Sequence, residues 1–264
     1  MNQVILIGDE VGLKSLYNSV CDNDFLTVKG VICHKGRIAA EEVASEICRK
    51  LKCALLLQPR RSEIVEYELF CSNLRDLKAD VAFCYSYDMI LSKDILSLFP
   101  DGIYNLHGAL LPKYRGGNVL NWVIINGEEE TGVTIHRMVE KVDAGPIVLQ
   151  KKVSIGFEDT ALLLRNKIFQ AGDELLLTFW RLYVEKKLAT VQQKEDEATY
   201  FPKRKPEDGY FEWSWDAEKI YNMIRALVFP WPGAFYIENG EKIVINCFMT
   251  LEEVIKMKRE KESK

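Results

Sequence analysis

The sequence predicts an α/β protein: a Rossmann-like, mostly parallel sheet with helices on both faces, plus a small C-terminal helix and β-hairpin appendage. Three observations predict it. Short apolar runs alternate with helix-length segments through the first hundred residues, the order that builds a parallel sheet. The chain of 264 residues, 48% hydrophobic and 28% charged, is long enough to bury an ample core without staples. From about residue 199 onward the chain changes character and becomes rich in Pro, Gly and aromatic residues. The expected division is a catalytic domain over 1–198 and a C-terminal subdomain over 199–264.

The elements follow in order. Val4 to Gly8 (VILIG) is a short apolar run that reads as a buried parallel strand. The loop Gly8 to Gly12 opens a helix toward Cys21; it lacks the G-x-G-x-x-G pattern and reads as a plain strand-to-helix turn. Leu26 to Cys33 is a second strand, Ile38 to Leu51 a helix, and Ala54 to Gln58 a third strand. Ser62 to Leu77 reads as a helix with apolar positions at Ile64, Val65, Leu69 and Leu77. Asp80 to Tyr85 is a fourth strand, and Gly102 to Leu106 another. Gly117 to Asn126 predicts a helix. Thr131 to Val148 predicts a strand, a polar loop and a Gly-Pro break into a further strand. Glu158-Asp159-Thr160 opens a long helix to about Glu185, broad enough in its apolar face to pack on the sheet. Lys194 to Ala198 is a polar, acidic link.

The tail opens as a loop punctuated by Pro202, Pro206 and Gly209. Ser214 is positioned to cap a helix containing Ile220, Tyr221, Ile224 and Leu227. Asn239-Gly240 between two strand-like runs is a strong hairpin signal. That hairpin, with Trp231, Phe235 and Tyr236, either adds to the sheet of a second copy or packs on its own domain. The final stretch, LEEVIKMKREKESK, reads as an amphipathic helix fading into a charged terminus.

Chemistry concentrates in Asp101 to Asn118, DGIYNLHGALLPKYRGGN. Asn105 and His107 stand at positions i and i+2 of an extended segment, so an amide and an imidazole leave the strand end on one face. That pairs an electrophile stabiliser with a proton acceptor, as acyl transfer requires. Strand ends of open α/β sheets are also where ligands bind. Of the other two histidines, His34 reads as a surface loop residue. His136 reads as a structural residue on an alternating strand, sharing a face with Thr134 and Met138.

Asn105-x-His107, followed 36 residues later by Asp143 inside Asp-Ala-Gly-Pro-Ile, resembles the formyltransferase family that uses 10-formyltetrahydrofolate. The match is close through LHGALLPKYRGGN and through TGVTIHRM and VDAGPI, and coarser from the N-terminus to about Pro232. The resemblance implies that Asn105, His107 and Asp143 are catalytic, with no metal. It implies a folate pocket formed by the aromatic turn Tyr85, Ser86, Tyr87 and Ile90, together with Val139 and Val142. It assigns the acceptor to Tyr114, Arg115, Gly116 and Asn118; ion pairing with a surface carboxylate is the alternative for Arg115.

The choice of acceptor rests on the tail. Residues 200–264 carry 11 Lys and Arg against 11 Asp and Glu. A tRNA-binding tail relies on a positive face instead. The segment YFPKRKPEDGYFEWSW through PWPGAF resembles the branch of the family that N-formylates nucleotide-linked amino sugars for bacterial surface glycans such as O-antigen. In that reading Lys203 and Arg204, with Lys205, hold a pyrophosphate and Trp231 stacks on the base. The expected acceptor is a dTDP-linked 3- or 4-amino-dideoxyhexose. The alternatives are a methionyl-tRNA formyltransferase and a formyltetrahydrofolate hydrolase. An oxidoreductase is disfavoured by the missing glycine fingerprint, and a non-catalytic binder by the complete Asn, His, Asp set.

Composition bounds the setting. The net charge of -4 offers no footprint for nucleic acid. Seven cysteines without a C-x-x-C pair point to reduced thiols in a cytoplasm. MNQVILIGD lacks the basic start and long apolar core of a signal peptide, and no apolar run approaches the roughly 20 residues of a membrane span. A homodimer through the C-terminal hairpin is expected.

Overall fold

The computed structural model describes residues 1–263. Its main sheet contains β1 (Asn2–Gly8), β2 (Leu26–His34), β3 (Ala54–Gln58), β4 (Val81–Tyr85), β5 (Gly102–His107), β7 (Glu130–Arg137) and β8 (Ile147–Ser154). The short β6 (Arg115–Gly116) lies outside it, paired in parallel with β9 (Tyr200–Phe201). The sheet order is β3-β2-β1-β4-β5-β7-β8. The first five strands run parallel and β7 is antiparallel to β5. This is the expected α/β architecture. The helices are α1 (Glu10–Val20), α2 (Ile38–Leu51), α3 (Ile64–Asp76), α4 (Lys93–Leu96), α5 (Val119–Ile125), α6 (Ala161–Val184), α7 (Ala217–Ala226) and α8 (Leu251–Glu262). Among the described residues, no helix is long and apolar enough to cross a membrane.

The chain packs as two compact units. The first comprises Met1–His107, Thr134–Gln150 and Gly172–Gln193; the second comprises Gly108–Val133, Lys151–Ala171 and Lys194–Lys264. In the first unit, alternate residues of each strand project to opposite faces. Ile5, Ile7, Ile32, Leu56, Ala82, Cys84 and Ile103 meet Phe70 and Leu74 of α3 on one face. On the other, Phe83 packs edge-on against Phe179 and beside Trp180, at ring separations of 4.9 and 5.6 Å. Trp180 also donates its indole N–H to Ser19 Oγ on α1 at 3.0 Å. Helices therefore cover both faces, and the strands, with no wet side, read as continuous apolar runs.

Several boundaries differ from the sequence reading. The helix expected over Gly117 to Asn126 is confined to Val119–Ile125, because Asn118 stands in the left-handed region (φ +53°) and delays its start. The helix expected over Ser62 to Leu77 spans Ile64–Asp76. It buries Phe70 and Leu74, while Ile64, Val65 and Leu69 are exposed. Asp216, not Ser214, precedes the first turn of α7.

In the second unit the predicted hairpin is present as β10 (Ala234–Glu238) and β11 (Glu241–Ile245), turning at Asn239-Gly240. Tyr236 is buried against Phe211 and Trp213, so one face of the hairpin packs within its own unit. Ile237 and Val244 are exposed. The terminal helix docks here too: Lys261 pairs with Glu238, and Lys258 donates to the Trp213 carbonyl. The segment expected to start the appendage at residue 199 shares its unit with Gly108–Val133 and Lys151–Ala171.

Candidate active site

The candidate catalytic groups lie in the first unit, where β5 ends beside β7. Asn105 and His107 project to one face, as their i, i+2 spacing requires. The antiparallel register places His136 directly opposite Asn105, and Thr134 opposite His107. Directly opposed side chains are near neighbours on a sheet. Asn105 Nδ2 lies 3.2 Å from His136 Nε2, and His136 Nδ1 lies 3.1 Å from the Arg137 carbonyl oxygen. A carbonyl only accepts, so Nδ1 carries the proton and Nε2 takes a hydrogen bond from the Asn105 amide. One N–H of that amide is thereby held, and the other remains for a developing oxyanion.

Asp143 closes the constellation. Its Oδ2 lies 3.6 Å from His107 Nδ1 and its Oδ1 lies 3.4 Å from His136 Nε2. These are ion-pair separations, longer than a direct hydrogen bond. His107 and His136 are both buried. With Nδ1–H directed at the carboxylate, Nε2 of His107 is the nitrogen left to accept a proton.

The turn that carries Asp143 is over-determined. Asp143 itself adopts φ +53°, a left-handed conformation that Asp tolerates better than most residues. Gln193 donates to the carbonyls of Asp143 and Gly145 at 2.7 and 2.6 Å. A Cβ at Gly145 would stand 1.7 Å from the Arg137 carbonyl oxygen, so only glycine fits there. Sequence reading missed Gln193 and assigned His136 a purely structural role. The shared face of Thr134 and His136 was visible in the sequence; the strand it opposed was not.

The residues expected around a folate divide in two. Ile90, Val139 and Val142 are exposed apolar side chains, suited to wall a flat ring. Ser86 is exposed, with φ +53°. The two tyrosines are committed to the fold. Tyr85 is buried, its hydroxyl 3.1 Å from where a Cβ on Gly172 would sit. Tyr87 packs against the core cluster and donates its hydroxyl to Gln58 Oε1 at 2.8 Å. Burial pushes the Tyr87 phenol well above its ordinary range. The turn thus offers backbone and Ile90 to a ligand, not the two aromatic faces that its composition suggested.

The residues expected around the acceptor also divide, within the second unit. Asn118, Lys203, Arg204 and Trp231 line one cavity of about 170 Å³, together with Lys205 and Leu227. Asn118 Oδ1 accepts from the Arg204 backbone N–H at 2.8 Å, which ties the start of α5 to this loop. The Arg204 guanidinium lies 4.8 Å from the Trp122 ring centroid. Its Nη1 is buried without a hydrogen-bond partner among the described residues, and desolvation lowers the guanidinium pKa. A buried guanidinium edge with open donor capacity suits an anion.

Tyr114, Arg115 and Gly116 do not line that cavity. Arg115 is fully buried and donates to Glu195 at 2.9 Å and to the Tyr200 hydroxyl at 2.6 Å. This is the carboxylate pairing that was the alternative reading. Tyr114 stacks on Phe201 at 4.7 Å and donates its hydroxyl to Glu128 at 2.6 Å. At Gly116 (φ +103°) a Cβ would stand 2.1 Å from the Phe201 carbonyl oxygen, so this glycine serves the β6–β9 pairing. His34, read as a surface residue, sits with Nδ1 3.3 Å from Asp88. Among the described residues no group of His, Cys, Asp and Glu is arranged to hold a metal ion.

An amide donor and an imidazole base on one strand face, backed by a carboxylate on a rigid turn, suit attack on a carbonyl carbon. The family description "Formyl transferase" matches residues 2–179, and "Formyl transferase, C-terminal domain" matches residues 203–258. The chain belongs to the formyl transferase family. Solved structures share its fold. A 4-N formyltransferase from Francisella tularensis has a TM-score of 0.77 at 16% identity, covering 94% of this chain and 98% of its own. A sugar N-formyltransferase from a Shewanella species has a TM-score of 0.75 at 20% identity, covering 95% and 98%. An N-formyltransferase from Helicobacter canadensis, in complex with folinic acid and dTDP-3-aminofucose, has a TM-score of 0.69 at 20% identity, covering 92% and 86%.

Proposed function

We propose that this protein transfers the formyl group of N10-formyltetrahydrofolate to the amine of a nucleotide-linked amino-dideoxy sugar. The acceptor in this reading is a dTDP-linked 3- or 4-amino-dideoxyhexose used in a bacterial surface glycan such as O-antigen lipopolysaccharide. The observation that carries the reading is the Asn105, His107, Asp143 constellation with its His136 support. The cavity lined by Asn118, Lys203, Arg204 and Trp231 supports a nucleotide diphosphate as the handle, offering cations for phosphates and a ring to stack on a base. The ligands of the Helicobacter canadensis structure supply the same two classes of molecule.

The donor supplies a formyl carbon activated by its bond to N10. The neutral amine adds to that carbon, and the carbonyl oxygen gains negative charge. Asn105 donates its second amide N–H to the oxyanion. Such a donor is worth about 10² to 10³ in rate. His107 Nε2 takes the proton shed by the amine while Asp143 stabilises the imidazolium formed. The intermediate collapses, the C–N10 bond breaks, and His107 returns the proton to N10. Ile90, Val139 and Val142 hold the folate ring, with the backbone of Tyr85, Ser86 and Tyr87 as hydrogen-bonding edge.

The same reading includes a cytoplasmic enzyme, divided into a catalytic domain over 1–198 and a C-terminal subdomain over 199–264. It also includes a homodimer formed through the exposed face of the hairpin, where Ile237 and Val244 stand. The experiment is mass spectrometry on purified protein with N10-formyltetrahydrofolate and a panel of dTDP-, UDP- and GDP-linked amino sugars. One sugar gaining the mass of a formyl group, dependent on enzyme, supports the function. Tetrahydrofolate released with no sugar modified indicates a hydrolase. Formylation of initiator tRNA with the panel silent indicates the tRNA branch.

A further inference from the structure

A pair of cysteines in the first unit is set up by a helix terminus. Helix α2 ends at Leu51, and Lys52 follows in the left-handed conformation (φ +52°). The backbone N–H of Cys53 then bonds to the Cys48 carbonyl at 3.1 Å. This is the Schellman arrangement, in which the side chains of the third residue from the helix end and the second beyond it are brought together, normally as an apolar contact. Here both are cysteines. Each thiol is the other's foremost side-chain partner, and the Cys48 sulfur also lies 3.3 Å from the Ala54 carbonyl oxygen.

We propose that Cys48 and Cys53 form a reversible intramolecular disulfide, a modification site for small anionic disulfides of the glutathione type. Cys53 is half-buried and reachable, whereas Cys48 is buried. Its contact with Cys48 lowers the Cys53 thiol pKa, and thiolate is the attacking form. Arg49, Lys50 and Lys52, all exposed, crowd positive charge around it and attract an anionic reagent. Neighbouring Cys33 is fully buried, and its thiol is pushed up to about 12 by burial, so it does not compete.

The step balances as thiol–disulfide exchange. Cys53 thiolate attacks one sulfur of the small disulfide, whose S–S bond breaks and releases one thiolate. Cys48, losing its proton, attacks the Cys53 sulfur and expels the second thiolate. Two protein thiols are oxidised to one disulfide, one small disulfide is reduced to two thiols, and the two protein protons go to the thiols released. Cys48 is therefore the resolving thiol. The pair sits where β3 begins, whereas the candidate catalytic groups sit where the parallel strand β5 ends. Closure is thus expected to leave catalysis unchanged.

The test uses the full-length native protein equilibrated across ratios of reduced to oxidised glutathione, alkylated and digested with trypsin. Trypsin cuts after Arg49, Lys50 and Lys52, so the two cysteines leave on separate peptides. The expected result is a disulfide-linked pair of peptides 38–49 and 53–60, abolished by dithiothreitol, with Cys33 and Cys84 alkylated only after unfolding. In Cys48→Ser protein, Cys53 is expected to accumulate as the mixed disulfide with glutathione. Full alkylation of both cysteines across all ratios overturns the proposal, as does a stable mixed disulfide on Cys53 in the native sequence. The native measurement stands whether or not the variant folds.

Discussion

Replacing His136 by phenylalanine removes the acceptor that holds the Asn105 amide while keeping a ring in a buried position. The lost contact is one neutral hydrogen bond, Asn105 Nδ2 to His136 Nε2 at 3.2 Å. A bond of this kind is worth about 1 kcal/mol, or roughly fivefold in the population of correctly turned amide. His136→Phe is therefore expected to lower kcat/KM about fivefold, whereas Asn105→Ala, which removes the oxyanion donor, costs about 10² to 10³. The decisive quantity is the coupling. If His136 acts through Asn105, adding His136→Phe to Asn105→Ala costs nothing more, and the cycle returns a coupling of about 1 kcal/mol. His136→Gln, which restores a side-chain acceptor, is expected to recover much of the loss. The assay is the initial rate of formyl transfer to the sugar that responds in the panel, followed by mass spectrometry. Additive losses, with the fivefold cost persisting in Asn105→Ala protein, would refute this role.

Three further expectations concern separate parts of the molecule. Arg204→Ala is expected to weaken dTDP binding about tenfold to a hundredfold, the loss of one charge-assisted contact; titration calorimetry checks this, and an unchanged affinity removes Arg204 from the nucleotide site. Gly145→Ala forces the Asp143 turn to move, because its Cβ would stand 1.7 Å from the Arg137 carbonyl oxygen. Turnover is then expected to fall about tenfold or more, with a lowered melting temperature, and wild-type turnover contradicts the over-determined turn. Burial raises the Cys33 thiol from its ordinary value of 9.0 to about 12. A raised folded-state pKa contributes stability that is fully present below pH 9 and is lost as pH rises toward 12. Alkaline denaturation should therefore steepen by up to about 1.4 kcal/mol per pH unit in that window, and Cys33→Val should flatten it.

Much of the fold was legible because it is written locally. Strands buried on both faces read as VILIG and VAFCY, and their alternation with helices implies a parallel sheet whatever the packing details. The hairpin was equally legible, since Asn-Gly satisfies the positive φ of its two turn residues, +50° and +82°. Helix α3 was less so. Its apolar residues surround the helix, and only the docked position selects Phe70 and Leu74 over Ile64, Val65 and Leu69.

The candidate sites divide along the same line. Asn105 and His107 share a face by strand geometry alone, and Asp143 stands in a turn announced by Gly-Pro, so the sequence by itself determined these three. It did not determine His136. That residue reaches Asn105 only through the β5–β7 register, an alignment of segments some thirty residues apart that no local rule encodes. Arg115 shows the same limit from the other side. Whether a cation meets a ligand or a carboxylate depends on which partner the fold delivers, and the fold delivers Glu195, 80 residues away. Only the tertiary structure joins Asn118, Lys203, Arg204 and Trp231 in one cavity, because chain distance says nothing of spatial distance once a chain has turned back on itself.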